Sequence, residues 1–134
     1  MTEMKRRTVI AGLGALAVTP VFAPAIAQKR YDEGASDSEI KIGNIMPYSG
    51  NASAYGVIGR TSEAVMKMVN DAGGLNGRKI NFITYDDGYS PPKAVEMVRK
   101  LVEEDKVLLV FNPLGTPSNT AIQRYLNQRK VPQL

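Results

Sequence analysis

Lys79 to Phe111 reads KINFITYDDGYSPPKAVEMVRKLVEEDKVLLVF, and its periodicity changes twice along the way. Ile80, Phe82, Ile83 and Tyr85 make a short β-rich run, closed by the turn residues Asp86, Asp87 and Gly88. Ser90 is placed to N-cap a helix whose first positions, Pro91 and Pro92, need no intrahelical donor. On that helix Ala94, Val95, Val98, Leu101 and Val102 share one face. Lys93, Glu96, Arg99, Lys100 and Glu103 fall on the other, with Glu96 four residues before Lys100. Val107 to Phe111 is then apolar without alternation, as expected of a strand covered on both faces of a parallel sheet. The stretch is a β-α-β unit, and it decides the fold class.

The same alternation extends in both directions. Upstream, Ile40, Ile42, Ile45 and Met46 predict a strand, and Ile58, Ser62, Val65, Met66, Val69 and Ala72 recur at helical spacing until Gly73-Gly74 and Asn76-Gly77 stop the helix. Downstream, Thr116 and Pro117 read as an N-cap and first helical position, Ile122, Tyr125 and Leu126 point inward, and the helix ends near Arg129. Val131 begins a fourth strand. The order β-α-β-α-β-α-(β) is that of an α/β fold, a doubly wound parallel sheet with right-handed crossovers. Met66 and Met97 are read as gap-filling core residues, not as ligands.

Composition narrows the chemistry. The 134 residues contain neither Cys nor His, which removes disulfides, thiolate metal sites, Ser-His-Asp and Cys-His catalysis and imidazole acid-base work. No cofactor is expected. Asp86-Asp87 lacks a nucleophile, base or metal partner beside it and is read as turn and cap chemistry. Lys5, Arg6 and Arg7, against Glu3, supply half of the formal charge of +4, and the remaining basic residues are scattered, so neither nucleic acid nor an anionic membrane is indicated as a partner.

Lys5, Arg6 and Arg7 precede a Gly/Ala/Val/Leu stretch that closes at Ala25-Ile26-Ala27, the small-x-small pattern of a signal-peptidase site. Residues 1-27 are therefore read as a signal peptide cleaved after Ala27. The alternative, a membrane-spanning helix, is opposed by Pro20 and Pro24 within a short apolar run. Arg6-Arg7 with the following apolar residues resembles a twin-arginine export signal, although Lys5 precedes the pair; basic pairs are also common in ordinary secretory signals, so the general secretory route is the alternative. Gly12-Leu13-Gly14-Ala15-Leu16-Ala17 imitates a dinucleotide fingerprint but follows no strand and lies inside the signal. Residues 28-38 read as a loose polar leader, and 39-134 as the folded part.

In a sheet of order 2-1-3 the loops after the first and third strands flank the switch-point crevice where doubly wound folds bind ligands. Here those loops are Pro47-Gly56, with Ser49, Ser53 and Tyr55, and Asn112-Ser118, with Gly115, Thr116 and Ser118. Helices begin at both, so backbone N–H groups and positive dipole ends favour a small anion or carboxylate. Hydroxyls at Ser49, Thr116 and Ser118 add donors, and Tyr55 adds an apolar face. The competing reading is that Thr116 and Ser118 merely cap a helix and the glycines merely turn the chain. Neither loop has the pattern of a phosphate-gripping P-loop.

Three blocks in order, IKIGNIMPYSGNASAYG, AGGLNGRKINFITYDDGYSPPKAV and LVFNPLGTPSNTAIQRYLNQRKVPQL, resemble the N-terminal part of the periplasmic substrate-binding proteins of branched-chain amino-acid-type ABC transporters, which have the type I periplasmic binding protein fold. The resemblance covers Glu39 to Leu134 and implies an incomplete N-terminal ligand-binding lobe. It implies a non-catalytic, monomeric periplasmic receptor that captures a small carboxylate-bearing ligand, a branched-chain or other amino acid or an aromatic or organic acid, and presents it to ABC permease subunits. Carried over to matching positions, Tyr55 would line the pocket, and Thr116, within the loop of Gly115 and Ser118, would stand where a Ser or Thr binds the ligand carboxylate. Pro117 replaces a hydroxyl residue more usual in the family. The family usually has two lobes, and the second is expected to supply the partner for an amino group. Two other classes are open at this point: a sensor domain of the same fold serving a signalling partner, and an enzyme on a flavodoxin-like sheet, which the sequence supplies with no catalytic constellation.

Overall fold

The computed structural model describes residues 30–134. The signal peptide, its Arg6-Arg7 pair and the cleavage site at Ala25 and Ala27 lie outside the described residues. The elements run β1 (Glu39–Met46), a 3-10 turn (Ser53–Tyr55), α1 (Gly56–Asp71), β2 (Lys79–Asp86), α2 (Pro91–Glu103), β3 (Leu109–Val110) and α3 (Thr116–Arg129). The three strands pair in parallel in the order β2-β1-β3, as the alternation predicts. Among the described residues, no helix is long and apolar enough to cross a membrane.

Alternation along β1 sorts the layers. Gly43 and Ile45 face α2 and α3, where Ile45, Ala94, Val98, Leu101, Val110, Ile122 and Leu126 form the core. Asn44 and Met46 face the other way, toward α1. There α1 packs closely, since a Cβ on Gly59 would collide with the Tyr48 hydroxyl. At its far end Asn70 imitates a neighbouring strand. Its side chain accepts from the Ile80 N–H and donates to the Ile80 carbonyl, both at 2.7 Å, which docks the helix terminus on β2.

Several boundaries differ from the sequence expectation. Regular pairing of the third strand is confined to Leu109–Val110 because Lys106 (φ 59°) and Asn112 (φ 51°) turn the chain on either side. The apolar run still lies along β1, through Leu108 N–H to the Lys41 carbonyl and Phe111 N–H to that of Gly43. The α3 N-cap is Gly115, not Thr116, which is the first helical residue. Ser90 occupies the α2 N-cap in an extended conformation, as a residue before proline prefers, and makes no side-chain cap bond. The fourth strand expected from Val131 is reduced to a single parallel bridge between Gln133 and Val110. The leader is not loose from Tyr31 onward: Ala35 pairs antiparallel with Ile40, the Ser36 hydroxyl accepts the Glu39 N–H, and Gly34 sits so tightly against the Leu108 backbone that a Cβ has no room.

Candidate functional site

The C-terminal ends of the three strands lead into loops that meet around a cleft of about 750 Å³. The first loop lines it with Gly50, Asn51, Ala52 and Tyr55, and the third with Leu114 and Gly115. The second loop, read from sequence as a turn alone, contributes Gly88 and Tyr89. Its two carboxylates are what bring the loops together.

Asp86 secures the first loop. Its Oδ1 accepts the N–H groups of Tyr48, Ser49 and Gly88 at 2.8, 3.1 and 3.0 Å, and its Oδ2 accepts the Ser49 hydroxyl at 2.6 Å and the Lys93 ammonium at 2.9 Å. Burial pushes this carboxyl upward, but the Ser49 hydroxyl, the Lys93 ammonium and the backbone donors outweigh it and hold the group well below the usual carboxylate range. Asp87 is fully buried and secures the third loop: it accepts the Tyr89 N–H at 2.9 Å and the Ser118 hydroxyl at 3.0 Å, while its own N–H closes the end of β1 at the Met46 carbonyl. The turn-and-cap reading of this pair was therefore sound but too local.

A second set of contacts crosses the sheet below the cleft. Asn44, with no exposed surface, donates to the carbonyls of Phe111 at 2.8 Å and Asn112 at 3.0 Å and accepts the Thr84 hydroxyl at 2.7 Å. Thr84 has one hydroxyl proton and spends it on Asn44, so the Tyr48 hydroxyl, 2.7 Å away, must be the donor to Thr84. All donors in this chain point one way, from the first loop to the base of the third. Every member is satisfied, which makes such a network rigid.

The residues singled out from sequence separate in space. Tyr55 and Gly115 line the same cleft. Thr116 lines a neighbouring cleft of about 630 Å³ with Asn112, Pro113 and Asn119, so the start of α3 divides the two. Ser118 is 1% exposed and its hydroxyl donates to Asp87, away from the cleft that Tyr55 and Gly115 line. Ser49 is exposed, but its hydroxyl proton goes to Asp86. Tyr89 was missed. Its signal is the Asp-Gly-Tyr order after a strand, which is uninformative until Gly115, far along the chain, is known to lie against the ring. Among the described residues lining the Tyr55 cleft there is no charged side chain. An anion there would meet peptide N–H groups, chiefly those of the first turn of α3, which lack intrahelical acceptors.

The sequence pattern of the periplasmic binding protein family matches residues 39–134. The leucine-specific-binding protein of Salmonella typhimurium is 30% identical over 103 residues, 76% of this chain and 24% of that protein. An amino acid binding protein of Pseudomonas aeruginosa is 32% identical over 74 residues, 54% of this chain and 20% of that protein. Among solved structures, the branched-chain amino acid transporter substrate-binding protein of Streptococcus pneumoniae, in complex with isoleucine, is similar with a TM-score of 0.67 and 25% identity, over 72% of this chain and 28% of that one. A fatty acid ABC transporter substrate-binding protein from Thermomonospora curvata is similar with a TM-score of 0.65 and 28% identity, over 77% and 27% of the two chains. The chain thus spans roughly a fifth to a quarter of the length of the proteins it matches.

Proposed function

The chain belongs to the periplasmic binding protein family, and from that premise we propose that it is the first ligand-binding wall of an exported receptor that delivers a small carboxylate-bearing solute to an ABC permease. One observation carries the reading: Tyr55 and Gly115, from loops on either side of the switch point, line one uncharged cleft at the N-terminus of α3. A carboxylate is received there by the Gly115 N–H, with the helix dipole adding to its attraction, and Tyr55 covers the apolar part of the ligand. The protein binds and releases without chemistry. Residues 1-27 direct it to the periplasm, with Arg6 and Arg7 as a twin-arginine signal, and it acts as a monomer.

The test is calorimetry on the exported protein purified from its natural host. L-leucine and L-isoleucine should bind with one site per chain, and Tyr55→Ala should weaken binding by about 2 kcal/mol, the scale of an apolar side chain losing its burial. Ser90→Ala, at the cap of α2, should leave affinity unchanged. Reversal of those two results would move the site elsewhere. N-terminal sequencing of the same material should begin at Gln28, and joint replacement of Arg6 and Arg7 by Lys should stop export; a mature protein beginning at Met1 would refute the signal.

A further inference from the structure

We propose that Tyr89 is a specificity-determining ligand contact, and that with Tyr55 it makes this site prefer a carboxylate carrying a flat aromatic group. The inference rests on the receptor reading above and goes further by naming the class of ligand.

Tyr89 is held in the cleft by its backbone. It has φ of 59°, a region costly for a bulky residue, and the structure maintains it by directing its N–H to Asp87, which is itself buried and tied to Ser118. The ring lies against Gly115: a Cβ there would stand 2.5 Å from Cε2 and 3.1 Å from the hydroxyl oxygen. The third loop has therefore no side chain where the ring passes. Yet Tyr89 remains 41% exposed, and Tyr55, which lines the same cleft, is 57% exposed.

A tyrosine serving only to fill space over Gly115 would bury its free face. Here that face belongs to a cleft whose other described walls are glycine, Ala52, Asn51 and Leu114. Gly50 and Gly88 add no side chain to this wall, and no charged side chain among the described lining residues competes for a polar ligand group. Two exposed aromatic rings lining one uncharged cleft reward a planar apolar group more than a compact aliphatic one, because ring pairs gain stacking beyond the area they bury. The cleft, about 750 Å³, has room for such a group beside the carboxylate at the start of α3.

The experiment pairs probes that differ in the ring alone: phenylacetate against isovalerate, and L-phenylalanine against L-leucine, titrated calorimetrically into the exported protein. The aromatic member of each pair should bind about fivefold tighter or more. Tyr89→Ala should lower the aromatic affinities more than the aliphatic ones and so abolish that preference, and Tyr89→Phe should preserve it. The chain contains no Trp, so Tyr89→Trp introduces a single indole. Its emission should shift on adding phenylacetate, whereas that of Tyr31→Trp in the leader should not. A wild-type preference for the aliphatic members, or a Tyr89→Ala variant that keeps the aromatic preference, overturns the inference and leaves the receptor reading standing. If Tyr89→Ala does not fold, an unmoved emission of Tyr89→Trp under saturating phenylacetate overturns it equally. Absence of heat from all four probes in the wild type overturns the receptor reading and this inference together.

Discussion

A Cβ at Gly115 would meet the Tyr89 ring at 2.5 Å, and φ of 98° there is one that L side chains rarely adopt. Gly115→Ala should therefore cost about 1 to 3 kcal/mol and displace Tyr89 from the cleft. Thermal denaturation measures the first effect, and an unchanged melting temperature would mean the two loops are not held together as described. Asn44 carries the second residue-scale expectation. Asn44→Leu removes two donors and one acceptor from a buried network and should destabilise by at least about 2 kcal/mol in chemical denaturation, since the carbonyls of Phe111 and Asn112 and the Thr84 hydroxyl lose their partner. Neither role was legible in the sequence. Asn44 interrupts an apolar strand without any local sign of its partners, one of which lies 67 residues away. Ser118 looked like a ligand donor because its hydroxyl is visible in sequence and the buried carboxylate of Asp87 beside it is not.

Elements were easier to read than residues because their periods are local. The apolar face of α2 and the apolar run before Asn112 give the β-α-β unit directly, and the structure keeps all three parts, although Leu108, Leu109 and Phe111 are half-buried where burial on both faces was expected. Boundaries moved where backbone conformation overrode the pattern, at Lys106, Asn112 and Gly115. The element of greatest consequence is the second loop, whose Asp86 joins β2 to the first loop. Its carboxyl is depressed in the folded chain, so its contribution is present above the ordinary carboxylate value and is lost as pH falls below that value toward the folded one. Asp86→Asn should accordingly cost about 1 to 3 kcal/mol at pH 7, and the difference from wild type should shrink as unfolding is repeated at pH 3 and then pH 2. A difference that stays constant down to pH 2 would show that charge is not what Asp86 supplies.

At the scale of the molecule, strand order and the switch-point crevice were legible because parallel β-α-β units leave few topologies open. The folded leader was not, since it depends on Gly34 fitting against the Leu108 backbone. This chain spans roughly a quarter of the relatives it matches, and the resemblance to two-lobed receptors implies a second wall across the ligand. Residues 28-134 alone offer one wall, so an isolated polypeptide of that length should melt with little or no upward shift at millimolar L-leucine; a sharp transition raised by micromolar ligand would show that one wall suffices. The central claim is that a carboxylate is received at the start of α3 in the cleft shared by Tyr55 and Gly115, and amide NMR of the exported, ¹⁵N-labelled protein tests it most directly. On titration with L-leucine and then phenylacetate, the largest shifts should fall on the N–H of Gly115, with Tyr55 and Tyr89 moving alongside it. Shifts concentrated instead on Asn119, Gln123 and Asn127, which line the neighbouring cleft, with Gly115 unmoved, would contradict it.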